Sequence, residues 1–231
     1  MKIRTGNPVA RRLGWAAGAL CMLHATAAMP QAAAPRDAPG PPMVNNCPVR
    51  PGTLCADMNL SSANLRGADL SNSQFSGSKL DGADLYRADF TRADLNRASF
   101  VHADLREAIL TRVNLQGADL TQARLSKARM EEANMENVIA RNVDFTNAVM
   151  RGASFSGAEL RAANLQGAQA QRTNFRSADL SDALLQDPNL EGADLSNARL
   201  ANADLRGANL HEAVFSGADT GGCKGCPAAP R

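Results

Sequence analysis

Cysteines are the side chains of this 231-residue sequence with the most evident chemistry. Cys21 stands alone near the start, Cys47 and Cys55 are close together, and Cys223 and Cys226 form a C-x-x-C motif in "GGCKGC". An even set of cysteines in an exported chain favours disulfides. A C-x-x-C motif can also carry thiol redox chemistry or supply half of a zinc site. The elements around the cysteines must decide between these chemistries.

Redox and metal chemistry both lack supporting residues around the C-x-x-C motif. A thioredoxin-like site needs a surrounding βαβ unit, and the sequence shows none. A zinc site needs two further ligands, and His211 is the only histidine nearby, with His102 far away in the sequence. The sequence contains no P-loop, dinucleotide fingerprint or G-x-S-x-G motif. We therefore expect a disulfide or free thiols at the motif, and no cofactor, metal ion or catalytic residues.

Residues 1–27 have the three-part pattern of a secretory signal peptide. The basic stretch "MKIRTGNPVARRLG" precedes the short apolar run "WAAGALCMLHATAA", and Ala25 and Ala27 give an A-x-A cleavage pattern. The apolar run is too short to span a bilayer comfortably. We expect export to the periplasm or the medium, with no membrane span after cleavage. An uncleaved amphipathic or anchor helix is the alternative.

A proline-rich stretch separates this segment from the rest of the chain. Residues 28–53 hold seven prolines and no helical or strand period, which is typical of an extended, mostly disordered linker. We therefore divide the chain into a signal peptide (1–27), a linker with an N-terminal cap (28–55), a repeat body (56–220) and a tail with the C-x-x-C motif (221–231).

The repeat body has a period of five residues. A large apolar slot recurs at every fifth position from Leu60 to Phe215, 32 times without a slip, and holds twenty Leu, seven Phe, three Met and two Ala. The slot two residues earlier is Ala in 24 of the 32 repeats. Ala140 and Ala170 are the small residues in the large slot. The first ten members of this ladder, which we expect to form a core, are Leu60, Leu65, Leu70, Phe75, Leu80, Leu85, Phe90, Leu95, Phe100 and Leu105.

Neither a helix nor a flat strand keeps positions five apart on one side. Five residues make about 1.4 helical turns, and an odd spacing changes face in a strand. The chain must therefore turn at each pentad, and four right-angle corners close a square of four pentads. The large residue and the alanine would fill its centre. The Asp or Asn before the large residue would hydrogen-bond to the local backbone at the corner.

Tandem A(D/N)LXX units, such as "ADL" at 68–70, 118–120 and 193–195, resemble the repeats of the pentapeptide-repeat family. The resemblance covers residues 56–219. It implies an all-β fold, a right-handed quadrilateral β-helix, here with about eight coils of four pentads. It implies no single activity, because members of the family do unrelated things.

The length of such a rod limits how the cysteines can pair. About eight coils at roughly 4.8 Å each give about 38 Å, whereas a disulfide needs Cα atoms within about 7 Å. We therefore pair Cys47 with Cys55 and Cys223 with Cys226, as staples at the two ends. The end coils would carry backbone edges without hydrogen-bond partners, so two chains could pair there as a homodimer.

Pro188, in "LLQDPNLEGADL", fills an alanine slot without changing the five-residue spacing. It is therefore a substitution and does not end the domain. We expect it to remove one N–H bond between neighbouring coils and to favour an extended Asp187.

The net charge of the repeat body bears on which classes of function are possible. The whole chain has a formal charge of +2, but residues 56–220 hold 17 basic and 22 acidic residues, or −5. A weakly acidic body argues against binding nucleic acid. Our main hypothesis is an exported, non-catalytic structural or protein-interaction module with an unknown protein partner. The alternative, taken from the family resemblance, is a DNA mimic that inhibits or protects DNA gyrase, which needs a strongly negative field and a cytoplasmic location.

Overall fold

The computed structural model describes residues 42–227, which belong to the unit Gly40–Arg231. The predicted signal peptide at 1–27, the linker as far as residue 41 and the last four residues lie outside the described residues.

Parallel backbone bridges stack the described chain into coils of four pentads. Each bridge joins two residues that are 20 apart, from Leu54↔Gln74 at one end to Asp204↔Lys224 at the other. This is the spacing that a five-residue period with four corners predicts. The ladder reaches slightly beyond the repeat body read from the sequence, so that Cys55 and Cys223 both lie within it.

Extended strands are scarce, which differs from the expectation of an ordinary all-β fold. The described residues contain two short strands, β1 (Met43–Val44) and β2 (Cys47–Pro48), paired as an antiparallel hairpin. The coils contribute isolated bridges of one residue each. The corners are the cause: the residue two places after the large one has a positive φ in every pentad, for example 59° at Arg87, so extended runs stay too short for a strand. Within residues 42–227 there is no helix long and apolar enough to cross a membrane.

Hydrogen bonding accounts for the preference for Asp or Asn before the large residue. The pentad around Leu120 shows the pattern: its N–H groups donate to the next coil, to the previous coil or across the corner, but that of Thr121 has no backbone acceptor. Thr121 donates instead to Oδ1 of Asp119 at 2.9 Å. Every Asp and Asn in this slot from Asn59 to Asp219 accepts the same bond. The repeat thus satisfies all five N–H groups of such a pentad.

The large residues and the alanines form one continuous core. Each large-slot residue from Leu60 to Leu205 is at most 3% exposed. Ala140 and Ala170 are fully buried as well. Val138 and Val143 replace the usual alanines on either side of Ala140 and are also buried. Their larger side chains compensate for the volume that the core lacks at Ala140.

Pro188 is buried, and the bridges continue past it. Asn189 donates to the Ala168 carbonyl at 2.9 Å, and Asp187 donates to the Arg206 carbonyl at 3.1 Å. The missing bond is therefore the corner bond that most residues of this slot donate within their own turn, and the expected loss of a bond between coils was wrong. Asp187 has a φ of 56°, so the expected extended conformation was also wrong. The corner geometry overrides the preference imposed by the proline.

The two ends of the described ladder differ. At the N-terminal end, the Sγ atoms of Cys47 and Cys55 are 1.99 Å apart, and both residues are at most 2% exposed. The Ser78 hydroxyl, in an alanine slot, donates to the Cys55 carbonyl at 2.6 Å. At the C-terminal end, Leu210 and Phe215 are only partly buried. The hairpin and its disulfide thus cover the first coil, whereas the last coil is open among the described residues.

Candidate interaction surface

The two histidines of the described residues do not lie together. His102 and His211 are both exposed, and they lie on different faces of the square because their spacing is not a multiple of 20. In residues 42–227 no three His, Cys, Asp or Glu side chains could together hold a metal ion. Every buried side-chain nitrogen or oxygen atom in that range has a hydrogen-bond partner.

Surface grooves run along the corners, where the side chains of neighbouring coils leave space. One of these grooves has a volume of about 450 Å³ and is lined by Arg141, Asn142, Arg161, Ala162 and Asp182. The Arg161 guanidinium lies 3.6 Å from the Asp182 carboxylate, and Arg141 pairs with a glutamate of the adjacent coil. Both cations of the groove are thus already neutralised, which leaves no uncompensated charge to bind an anion.

A tyrosine ringed by arginines is the most distinctive surface feature. The guanidinium carbon of Arg66 lies 4.1 Å from the ring centroid of Tyr86, that of Arg87 lies 5.0 Å away and that of Arg106 lies 5.6 Å away. Arg66, Tyr86 and Arg106 are 20 residues apart and therefore stack on one face. We call the outward residues of four stacked pentads the tyrosine face: residues 64, 66 and 67; 84, 86 and 87; 104, 106 and 107; and 124, 126 and 127. Cation–π contacts of this kind hold the ring and the guanidinium groups together.

Carboxylates fix the arginines around the ring. Glu107 accepts a hydrogen bond from Arg87 at 2.7 Å, and this bond lowers the pKa of the Glu107 carboxyl. Asp104 accepts two hydrogen bonds from Arg106, at 2.7 and 2.5 Å, and these lower the pKa of the Asp104 carboxyl. Exposed ion pairs contribute little to stability, so their main effect here is to hold the arginines in place beside Tyr86.

The sequence alone does not single out this cluster. Its members are separated by 20 residues, and this spacing becomes a signal only when the length of one coil is known. The same holds for the pairing of Arg87 with Glu107. A search for aromatic and basic residues at multiples of 20 would have found the tyrosine face.

The site residues predicted from the sequence lie in the core of the coils and at the two ends of the stack of coils, and none of them belongs to the tyrosine face. The structure brings Cys47 to Cys55, and Cys223 to Cys226 with their Sγ atoms 2.00 Å apart. The ten large side chains predicted to form the core, from Leu60 to Leu105, are buried inside the coils. These residues determine the scaffold, and the outward slots determine what it can contact.

The repeats and the fold match known proteins. A family model described as pentapeptide repeats matches in eight copies, over residues 59–97, 98–137, 141–176 and 178–217. The break between the second and third of these blocks, at 138–140, includes Ala140, the first small residue in the large slot. No curated protein sequence matches significantly.

Two solved structures illustrate the similarity. HetL, a pentapeptide repeat protein involved in the regulation of heterocyst differentiation from the cyanobacterium Nostoc sp. strain PCC 7120, is 28% identical with a TM-score of 0.50, and the match covers 75% of this chain and 89% of HetL. QnrB1, a plasmid-mediated fluoroquinolone resistance protein, is 21% identical with a TM-score of 0.51, over 74% of this chain and 90% of QnrB1. The likeness to QnrB1 is one of fold alone.

Proposed function

The chain belongs to the pentapeptide-repeat family, and from this premise we propose that it is an exported, non-catalytic solenoid that binds a protein partner. Its scaffold is the right-handed quadrilateral β-helix of the family, with about eight coils. The regulatory role of HetL, at 28% identity, supports a module that acts by contact.

The tyrosine face is the observation that carries this proposal. Tyr and Arg are the residues that most often dominate binding energy at protein interfaces. Here Tyr86 is held by Arg66 and Arg106 on the neighbouring coils and by Arg87 on its own coil, so little side-chain entropy is lost when a partner binds. The backbone under it is tied to adjacent coils on both sides. The cluster is therefore a preorganised contact surface.

A capture experiment tests the proposal. The full chain is immobilised and exposed to periplasmic extract or culture medium, alongside the variants Tyr86→Ala and Gln116→Ala. Gln116 occupies the equivalent outward slot on the opposite face, so Gln116→Ala is the matched control. We expect a protein retained by the wild type and by Gln116→Ala but lost with Tyr86→Ala, since a hot-spot residue is worth about 2 kcal/mol or more. Equal retention by all three would contradict the proposal.

Export is part of the proposal and has its own test. It is supported by the basic, apolar and small-residue order of residues 1–27. Cell fractionation followed by mass spectrometry should find the chain outside the cytoplasm, with its N-terminus a few residues either side of Ala27. A chain found only in the cytoplasm, with residues 1–27 intact, would contradict it.

We also propose a homodimer that forms through the C-terminal coil end. The partly buried Leu210 and Phe215 support this choice of end, because the N-terminal end is covered by β1, β2 and their disulfide. Phe215→Glu would place a charge on the open coil end, and light scattering should then report a monomer where the wild type is a dimer.

The gyrase-protecting DNA mimic remains the second candidate. The fold shared with QnrB1 supports it, and the charge of −5 on residues 56–220 is of the required sign but small. Cations interrupt the acidic residues on every face, which weakens the field that such a mimic needs. Added chain should leave gyrase supercoiling, and its inhibition by a fluoroquinolone, unchanged. Protection of gyrase would favour this second candidate over the first.

A further inference from the structure

The two disulfides lie in opposite environments. Cys47 and Cys55 are at most 2% exposed, within the core. Cys223 and Cys226 are only partly buried, and the ladder of bridges ends at Lys224 between them. A thiolate must reach a sulfur atom to open a disulfide, so access separates the two bonds.

The C-terminal disulfide also closes the last bonded segment of the ladder. Lys224 donates to the Ala203 carbonyl at 2.9 Å and accepts a bond from the Leu205 N–H at 2.7 Å. Gly225 packs closely against the backbone of Leu205 in the previous coil. A Cβ atom at position 225 would come within 2.8 Å of the carbonyl oxygen of Leu205. Among the described residues no coil stacks beyond this segment, so its position depends on the ring that the disulfide closes.

We propose that Cys223–Cys226 is a thiol-exchange site that reacts with small monothiols, and that its opening releases the segment covering Leu205. Both cysteines are partly buried and pack at the edge of the core, so a small thiolate can attack either sulfur. Lys224 adds a positive charge beside the site, and nearby cations favour the thiolate form of cysteine. The proposal does not depend on a partner at the tyrosine face. The homodimer proposed at the same coil end would shield the disulfide, so the exchange is a reaction of the monomer.

The exchange proceeds in two balanced steps. A monothiol in its thiolate form attacks one of the two Sγ atoms, forms a mixed disulfide with that cysteine and displaces the other cysteine as a thiolate, which takes a proton from water. A second monothiol thiolate then attacks the small-molecule sulfur of the mixed disulfide and releases the first cysteine as a thiolate. Two monothiols are oxidised to one disulfide, and the protein disulfide is reduced to two thiols.

Reduced glutathione is the probe for the reaction. The purified, oxidised full chain is incubated with increasing glutathione, the free thiols are blocked with N-ethylmaleimide, and the peptides are mapped by mass spectrometry. We expect Cys223 and Cys226 to be labelled at least about tenfold faster than Cys47 and Cys55, which need local opening of the core. The expected intermediate is a glutathione adduct on one cysteine of the C-terminal pair. Equal rates for the two pairs, or faster opening of Cys47–Cys55, would overturn the proposal.

Amide exchange tests the release of the segment. After reduction, the Leu205 amide should lose protection, whereas the Leu185 amide, which donates to the Asp204 carbonyl one coil further in, should keep it. The double variant Cys223→Ser/Cys226→Ser should show the fast Leu205 exchange without glutathione and no further response to it. Unchanged protection of Leu205 in the reduced wild type would overturn the release.

Discussion

Asp119→Ala tests the hydrogen-bond account of the repeat at a single position. Among the hydrogen bonds and ion pairs of the described residues, the Asp119 side chain makes only the one from the Thr121 N–H. The substitution leaves this N–H without an acceptor while the coil contacts around it stay the same. A hydrogen bond of this kind contributes about 0.5–1.5 kcal/mol, so we expect a loss of about 1 kcal/mol. For a domain of this size that corresponds to a fall of about 2–4 °C in Tm.

Two readouts and one control variant make this prediction specific. Thermal unfolding gives the stability, and hydrogen exchange at Thr121 should report loss of protection at that one amide. Asp119→Asn keeps an acceptor oxygen in place and should change neither quantity. The reasoning would be refuted if Asp119→Asn cost as much as Asp119→Ala, or if the Thr121 amide stayed protected in Asp119→Ala.

Three further predictions concern the corners and the charges. Pro188→Ala restores an N–H that can bond to the Leu185 carbonyl, so urea unfolding should show a neutral or mildly stabilising change, and a loss of several kcal/mol would show that the ring is required. Ala162→Gly should stabilise the fold and Gly152→Ala should destabilise it, each by roughly 1 kcal/mol in the same assay. Both positions have a left-handed φ, 54° at Ala162 and 66° at Gly152, which is unfavourable for alanine but not for glycine. No change in stability in either variant would contradict this. The hydrogen bonds from Arg206 lower the pKa of Asp204 below its ordinary value, so its stabilising effect is complete above about pH 5 and is lost as the pH falls. Asp204→Asn should flatten that part of an acid-unfolding curve, and an unchanged acid midpoint and slope would contradict this.

The coil could be predicted from the sequence because the pattern of inward residues repeats without interruption. A large residue at every fifth position, with Ala two places before it, fits only a chain that turns once in each pentad. The structural role of the Asp slot could also be predicted, because a short side-chain acceptor at a corner has few other uses. Local rules repeated many times are enough to determine such a core.

The features that the sequence did not reveal depend on contacts between coils or on backbone geometry. The left-handed corner is occupied by Arg87, His102 and Glu107 as well as by glycine, so residue type there gives no signal. The hydroxyl of Ser78 replaces an alanine methyl because a carbonyl of the previous coil lies within reach. The ring of arginines around Tyr86 requires a known distance of 20 residues. Each of these depends on register, which the sequence shows only after the coil is known.

The most direct test of the account is a pair of engineered disulfides. Ser156 and Arg176 are 20 residues apart and belong to adjacent coils of one face, where neighbouring backbones are about 4.8 Å apart, within the range that a disulfide spans. Ser156 and Gln166 are closer in sequence but lie on opposite sides of the square. The account predicts that Ser156→Cys/Arg176→Cys forms the new crosslink under mild oxidation of the folded chain, as mapped by mass spectrometry, and that Ser156→Cys/Gln166→Cys does not. A crosslink in the second pair but not in the first would contradict the stacking of four-pentad coils.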